Sequence, residues 1–277
     1  MAPSVKTEYK NFLNTKEGAA LYNKFKRILY GEPDSLIEYF NCNFLTDKFV
    51  PHREKLNICD VGGGDGKRIM QILGFLHKKY SKYFHLDLIE QSSVFCRSFE
   101  NNLNKITPYS TVNIQNCLFE EVNFSRKYDF IFLIHSIYTL KDSNNILKLL
   151  QSLNPDGKII LFSNAEDSFL GALKKELDKG YSDKRFEINN IKESLNNFSI
   201  SYNSYNFYTK WSIAEKDVYS RMLIILQWLS LGRFSSFSEH RKQEIFDLIF
   251  DMATSKNGKY YFKEKEEIII IYGSGKN

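Results

Sequence analysis

Residues Leu56 to Gly66 read LNICDVGGGDG. An apolar run leads to an acid, Asp60, and then to Gly62, Gly63, Gly64 and Gly66. An apolar stretch without a polar face suits a strand buried in a parallel sheet. Glycines directly after it permit backbone angles that side chains forbid, and they let a ligand lie against the main chain. Glu90 comes next, at the end of a second apolar run, His85 to Ile89. An acid roughly 20 residues past a glycine loop can accept hydrogen bonds from two ribose hydroxyls. The competing reading is a solvated cap for a helix starting near Ser92, and the position after LDLI favours the ribose. The dinucleotide fingerprint needs Gly or Ala three positions after its second glycine. Lys67 and Ile69 stand there instead, and no Gly-Lys-Ser or Gly-Lys-Thr of a phosphate loop occurs. A glycine-rich turn by itself also serves as plain punctuation between strand and helix.

These residues need elements to hold them. Lys67 to Tyr80 has Ile69, Ile72, Leu73 and Leu76 at helical spacing. Val112 to Gln115 reads as a third strand, followed by Asn116, Cys117, Leu118 and Phe119. Tyr128 to Ile134, YDFIFLI, is a fourth, opening into His135, Ser136, Ile137, Tyr138 and Thr139. Leu153 to Phe162 supplies a Pro-Asp-Gly turn and then a fifth strand. This order predicts an α/β fold, a doubly wound Rossmann-like sheet with helices on both faces and its ligand at the carboxyl ends of the strands.

Outside this core, helices are expected over Lys16–Tyr30, Pro33–Phe49, Ser168–Tyr181, Val218–Leu231 and Glu239–Met252. Strands are expected at Tyr260–Phe262 and Ile268–Tyr272. The Asn- and Ser-rich stretch Asn189–Asn206 reads as a mobile connection or as a compositional bias of the source organism. Three regions follow: an N-terminal helical cap over 1–50, a cofactor-binding core over 51–165, and a substrate-recognition elaboration with the last strands over 166–277.

Composition narrows the partners. The 277 residues are 43% hydrophobic, enough for a substantial core, and their number suits one catalytic domain with elaborations, or one domain plus a small second one. Net charge is +5, from 38 basic and 33 acidic residues that interleave. That pattern describes a solvated surface rather than a nucleic-acid footprint. Cys42, Cys59, Cys96 and Cys117 lie far apart with no Cys-x-x-Cys, so no metal site is expected, and reduced intracellular thiols are. The opening MAPSVKTEYK has no apolar core, and no run approaches 18 apolar residues. A cytoplasmic protein without a signal peptide or membrane span is expected.

The pattern Asp60-x-Gly62-x-Gly64-x-Gly66 resembles the first motif of class I S-adenosylmethionine-dependent methyltransferases. The resemblance implies S-adenosylmethionine as cofactor, and a seven-stranded sheet whose seventh strand, here Ile268 to Ile271, is inserted antiparallel. It implies cofactor binding by Asp60, Gly62, Gly63, Gly64, Gly66, Glu90, Gln91, Cys117, Leu118 and Ile134. In that family the loop after the third strand packs on the adenine. Here the acid expected at its first positions is missing.

Over most of its length the chain is similar to the histamine N-methyltransferase group. The similarity rests on Phe12 to Asn14 followed by Glu17, on Gln71 to Leu73, on Glu90, on Tyr128 to Asp142, and on an aromatic-then-apolar C-terminal strand. It implies a monomer acting on a small amine. Glu17 would meet the substrate amine. His135 stands where the family has an amide, Tyr138 lines the pocket, Thr139 replaces a further tyrosine, and Glu264 replaces an amide before the last strand. These departures move the expectation from histamine to small amines in general.

A cation favours carboxylates and aromatic faces. Tyr202, Tyr205, Phe207, Tyr208 and Trp211 could supply faces, or could be a sheet face packed on helices. Met222, Leu223, Leu226, Trp228 and Leu229 read as core or as the inner wall of a lid helix. Methyl transfer needs an in-line nucleophile with a free lone pair, so either a ring nitrogen attacks or His135 accepts a proton. Methylation of a macromolecular amide or adenine goes with Asn- or Asp-Pro-Pro-aromatic after the fourth strand. Ile134-His135-Ser136-Ile137 has no proline. Oxygen or carboxyl transfer, a protein or RNA methyltransferase, and a binding protein without chemistry stay open as alternatives.

Overall fold

The computed structural model describes residues 12–29, 35–140, 142–179 and 187–273. Among the described residues two helices lead in, α1 (Lys16–Leu29) and α2 (Ser35–Asn43). Then β1 (Lys55–Val61), α3 (Lys67–Tyr80), β2 (Tyr83–Ile89), α4 (Ser93–Glu100), β3 (Ser110–Gln115) and β4 (Tyr128–Ile134) alternate. After α5 (Asn144–Gln151) come β5 (Leu153–Asn164), α6 (Phe169–Leu177), α7 (Ile188–Asn197), β6 (Tyr202–Ala214), α8 (Val218–Leu229), α9 (Glu239–Met252), β7 (Thr254–Lys256) and β8 (Lys259–Tyr272). The sheet order is β3-β2-β1-β4-β5-β8-β6, with β7 paired antiparallel on β8. β1 to β5 are mutually parallel, as crossover connections through helices require.

The chain forms two compact units, each discontinuous in sequence. The core unit contains 35–140, 142–163, 187–205 and 267–273 of the described residues. Its apolar runs bury both faces of the sheet: every residue of β4 is buried, and Ile69, Ile72, Leu73 and Leu76 of α3 are sealed off completely. A second unit contains 12–29, 164–179 and 206–266. There Trp228 of α8 meets Tyr22 and Phe25 of α1 at ring distances of 4.8 and 5.8 Å.

Several expectations need correction. Among the described residues the sheet has eight strands rather than seven. Asn189–Asn206 is no connection: Ile188, Ile191 and Leu195 bury one face of α7, and β6 begins at Tyr202. The two final strands are one, β8. Its middle reads as surface, yet Glu264, Glu266 and Glu267 are buried. Pro-Asp-Gly at 155–157 does not precede β5 but sits inside it as an irregularity, the register jumping from Tyr128↔Leu153 to Phe130↔Lys158. Tyr205 and Tyr208 are 39% and 54% exposed, so the aromatic stretch of β6 is mostly not packed under helices; Trp211 is. Leu223 is 43% exposed, outside the core its neighbours join. Pro33 lies outside the described residues.

Candidate functional site

Val61, Ile89 and Gln115 are aligned at the ends of β1, β2 and β3. The loops that follow therefore start at one level along the carboxyl edge of the sheet. Gly62 N–H donates to Ile89 O at 2.7 Å, and Glu90 N–H to Gln115 O at 3.1 Å. The edge is thus stitched by main-chain bonds before any side chain is considered.

The four glycines do different work. Gly62, Gly64 and Gly66 have φ of 67°, 59° and 71°, values that side chains disfavour. A Cβ on Gly62 would come 2.5 Å from Ser136 Cβ, because the turn after β4 presses on the loop and Ser136 Oγ donates to Val61 O. One on Gly63 would strike Leu88 and the buried Asp60 carboxylate at 2.3 and 2.4 Å, and one on Gly66 would enter the Phe99 ring of α4 at 1.8 Å. Only at Gly64 would an added Cβ meet nothing within 4 Å. The loop is packed behind and open at Gly64, the geometry by which main chain receives a ligand.

Glu90 is 5% exposed. Its Oε2 accepts Gly64 N–H at 2.9 Å and its Oε1 accepts Ser92 N–H at 2.7 Å. Each oxygen keeps a second lone pair for a further donor. Burial pushes the carboxyl up to about 7, against the pull of N–H groups from Ser92, Gly64 and Gln91, with the charge of Asp65 adding to the rise. Gln91 itself is half-buried. The open space at Gly64 and this clamped, still receptive carboxylate fit the main-chain-and-ribose cradle expected for S-adenosylmethionine.

The neighbouring loops complete the edge. Asn116 Nδ2 donates to Glu90 O at 2.8 Å, a link that spacing did not predict. Cys117 and Leu118 are half-buried beside it, and burial raises the Cys117 thiol. Past the buried Ile134, His135 turns the chain with φ 55° and donates its N–H to Phe162 O at 2.9 Å. A left-handed non-glycine residue costs roughly 1–2 kcal/mol, and such strain gathers at functional sites. His135, Tyr138 and Thr139 are half-buried on one short turn, which Thr139 Oγ1 closes onto Ser136 O at 2.7 Å.

The remaining expected residues belong to the second unit. Glu17 is exposed in the first turn of α1, where an acid complements the helix dipole. Glu264 is 2% exposed. Its Oε2 accepts Leu170 N–H at 3.1 Å, its Oε1 accepts Asn164 Nδ2 at 3.3 Å, and the same Asn164 amide reaches Glu266 Oε1 at 3.0 Å. Burial raises Glu264 to about 7, opposed by Ser168, Leu170, Lys174 and Asn164. Among the described residues, no group of acids, cysteines and histidines could hold a metal ion, and no helix is long and apolar enough to cross a membrane.

Comparison with known proteins bears on this edge. Residues 35–198 match the family model of a methyltransferase domain. Histamine N-methyltransferase of Danio rerio is 23% identical over 240 residues, 79% of this chain and 82% of that protein. Carnosine N-methyltransferase 2 of Gallus gallus is 24% identical over 178 residues, 59% of this chain and 55% of that protein. Among solved structures, the YcgJ protein of Bacillus subtilis has a TM-score of 0.57 at 13% identity, with 86% and 97% of the two chains covered. A Haemonchus contortus phosphoethanolamine N-methyltransferase 2 has a TM-score of 0.56 at 14% identity, with 96% and 60% covered. At these identities the structures share the fold alone. A family match of this extent, over a sheet wound in this order, makes the chain a member of the methyltransferase-domain family, of class I and dependent on S-adenosylmethionine.

Proposed function

We propose that the chain transfers the methyl group to a nitrogen of a small amine. The observation that carries this reading is the turn after β4, where a strained, half-buried His135 and Tyr138 stand without the prolines of macromolecular amide methylation. The names of the two curated relatives, N-methyltransferases of histamine and of carnosine, point the same way.

S-Adenosylmethionine supplies an activated methyl carbon on a sulfonium. The chain must therefore bind, orient and keep water away, and such positioning can lower a barrier by roughly 7–11 kcal/mol. We assign Asp60, Gly62, Gly63, Gly64 and Gly66 to the cradle, Glu90 and Gln91 to the ribose, Cys117 and Leu118 to the base, and Ile134 to the floor. His135, Tyr138 and Thr139 line the acceptor side within the core unit. Glu264 holds the start of α6 by accepting Leu170 N–H.

An alkylammonium has a pKa of about 10 and carries no lone pair, and a neighbouring carboxylate raises it further. A ring nitrogen is therefore the preferred acceptor, with the ammonium serving as the handle. A screen of imidazole amines, aryl amines and amino acids with isotopically labelled cofactor, read by mass spectrometry, should find the methyl on nitrogen. Transfer only to oxygen, to a carboxylate or to RNA would overturn the proposal. Asn also accepts left-handed backbone, so His135→Asn preserves the turn. A general base contributes typically 10²–10⁴-fold; a ring-nitrogen acceptor predicts a loss far below that range and an unchanged pH profile.

A further inference from the structure

The loop after β3 is held by a residue from a distant helix. Lys148 of α5 donates from Nζ to Phe119 O at 3.1 Å and to Glu120 O at 3.2 Å. Its ammonium also lies 5.0 Å from the centre of the Phe119 ring and 5.8 Å from that of Phe124, within cation–π range. Side chains tie the loop elsewhere too, Asn116 Nδ2 to Glu90 O at 2.8 Å and Leu118 N–H to Glu121 Oε2 at 3.0 Å, besides main-chain bonds such as Cys117 N–H to Gln115 O at 3.1 Å. Asn116 secures the entry to the loop and Glu121 its middle. Only Lys148, among these three, reaches the short 3₁₀ turn Phe119–Glu121 from outside the loop.

We infer that Lys148 is a positioning residue for cofactor binding: it holds the Cys117–Leu118 segment in the shape that receives the base. This rests on the assignment of that segment to the adenine under the proposed function. Lys148 acts through carbonyls two and three positions past Cys117 and needs no contact with the ligand. The physical effect is preorganisation. Fixing a residue's backbone costs conformational entropy, and a loop already fixed spares the ligand that cost on binding. A hydrogen bond from a charged donor is about twice as strong as a neutral one, so one ammonium shared by two carbonyls suits a short loop.

The test uses S-adenosylhomocysteine binding by calorimetry on the full chain, with Lys148→Met, Lys148→Arg and Leu118→Gly. Met keeps the stem but not the donors, whereas Arg keeps donors and charge. Lys148→Met should weaken binding about tenfold, with the ligand-free melting temperature within a few degrees of wild type, and Lys148→Arg should recover most of the loss. If Leu118→Gly weakens binding while Lys148→Met binds like wild type, Lys148 has no such role and the loop assignment survives. If neither variant differs from wild type, the assignment of the loop to the base fails, and this inference with it. A Lys148→Met protein that binds weakly only because it melts early, with no recovery by Arg, also overturns the proposal.

Discussion

Glu90 and Glu264 are two buried glutamates, both raised to about 7, in different units and for different ends. Glu90 is held by backbone N–H groups from Gly64 and Ser92, next to a glycine whose outer side is open. Glu264 is enclosed by a side-chain amide and a helix start, Asn164 and Leu170. The contrast teaches that burial and a raised pKa do not mark a ligand site by themselves. What separates the two is whether open space lies beside the carboxylate. By that measure Glu90 is poised to receive a ligand, and Glu264 fastens α6 to β8.

The sharpest way to break this contrast is inside the glycine loop. Gly66→Ala adds a Cβ 1.8 Å from Phe99 at φ 71°. Overpacking and left-handed backbone together should destabilise it by roughly 2–5 kcal/mol, read as a fall in denaturation midpoint. Gly64→Ala has the backbone penalty but no clash, so it should lose only about 1–2 kcal/mol of stability, with the main damage to cofactor affinity. Equal destabilisation by both would mean that the space beside Gly64 is not open.

The second way uses pH. Each glutamate binds its proton more tightly folded than unfolded, since its folded value near 7 lies above the usual 4.5. Between those limits the native state holds more protons, so stability should fall as pH rises from about 4.5 to about 7. The full shift is worth on the order of 3 kcal/mol per group. Glu264→Gln should flatten this slope and leave S-adenosylhomocysteine affinity near wild type. Glu90→Gln should flatten it and weaken the ligand. A slope unchanged by either substitution would contradict the burial account.

Much of the core unit was readable from residues alone, because its signals are local. Glycines after a strand, Glu90 after LDLI, and the unbroken β4 each declare themselves within a few positions. The second unit hides its signals in long-range pairings. Asn164 and Glu264 meet across some hundred residues, and inward acids on β8 look like surface until Asn164 and α6 cover them. The α7 helix was legible in principle: Ile188, Ile191 and Leu195 have helical spacing, but the surrounding asparagines obscured it. Lys148 left no trace in its own neighbourhood, since its partners are carbonyls, which every residue has.

The central claim is that a sulfonium nucleoside rests on the main chain at Gly64 with its sugar on Glu90. Calorimetric titration of S-adenosylhomocysteine into wild type and Glu90→Ala tests it most directly. One site in wild type and about a hundredfold weaker binding in a folded Glu90→Ala protein is the predicted result, near the 3 kcal/mol upper end for hydrogen bonds to charged groups. Equal affinity in the two proteins, or no heat in wild type, would contradict it.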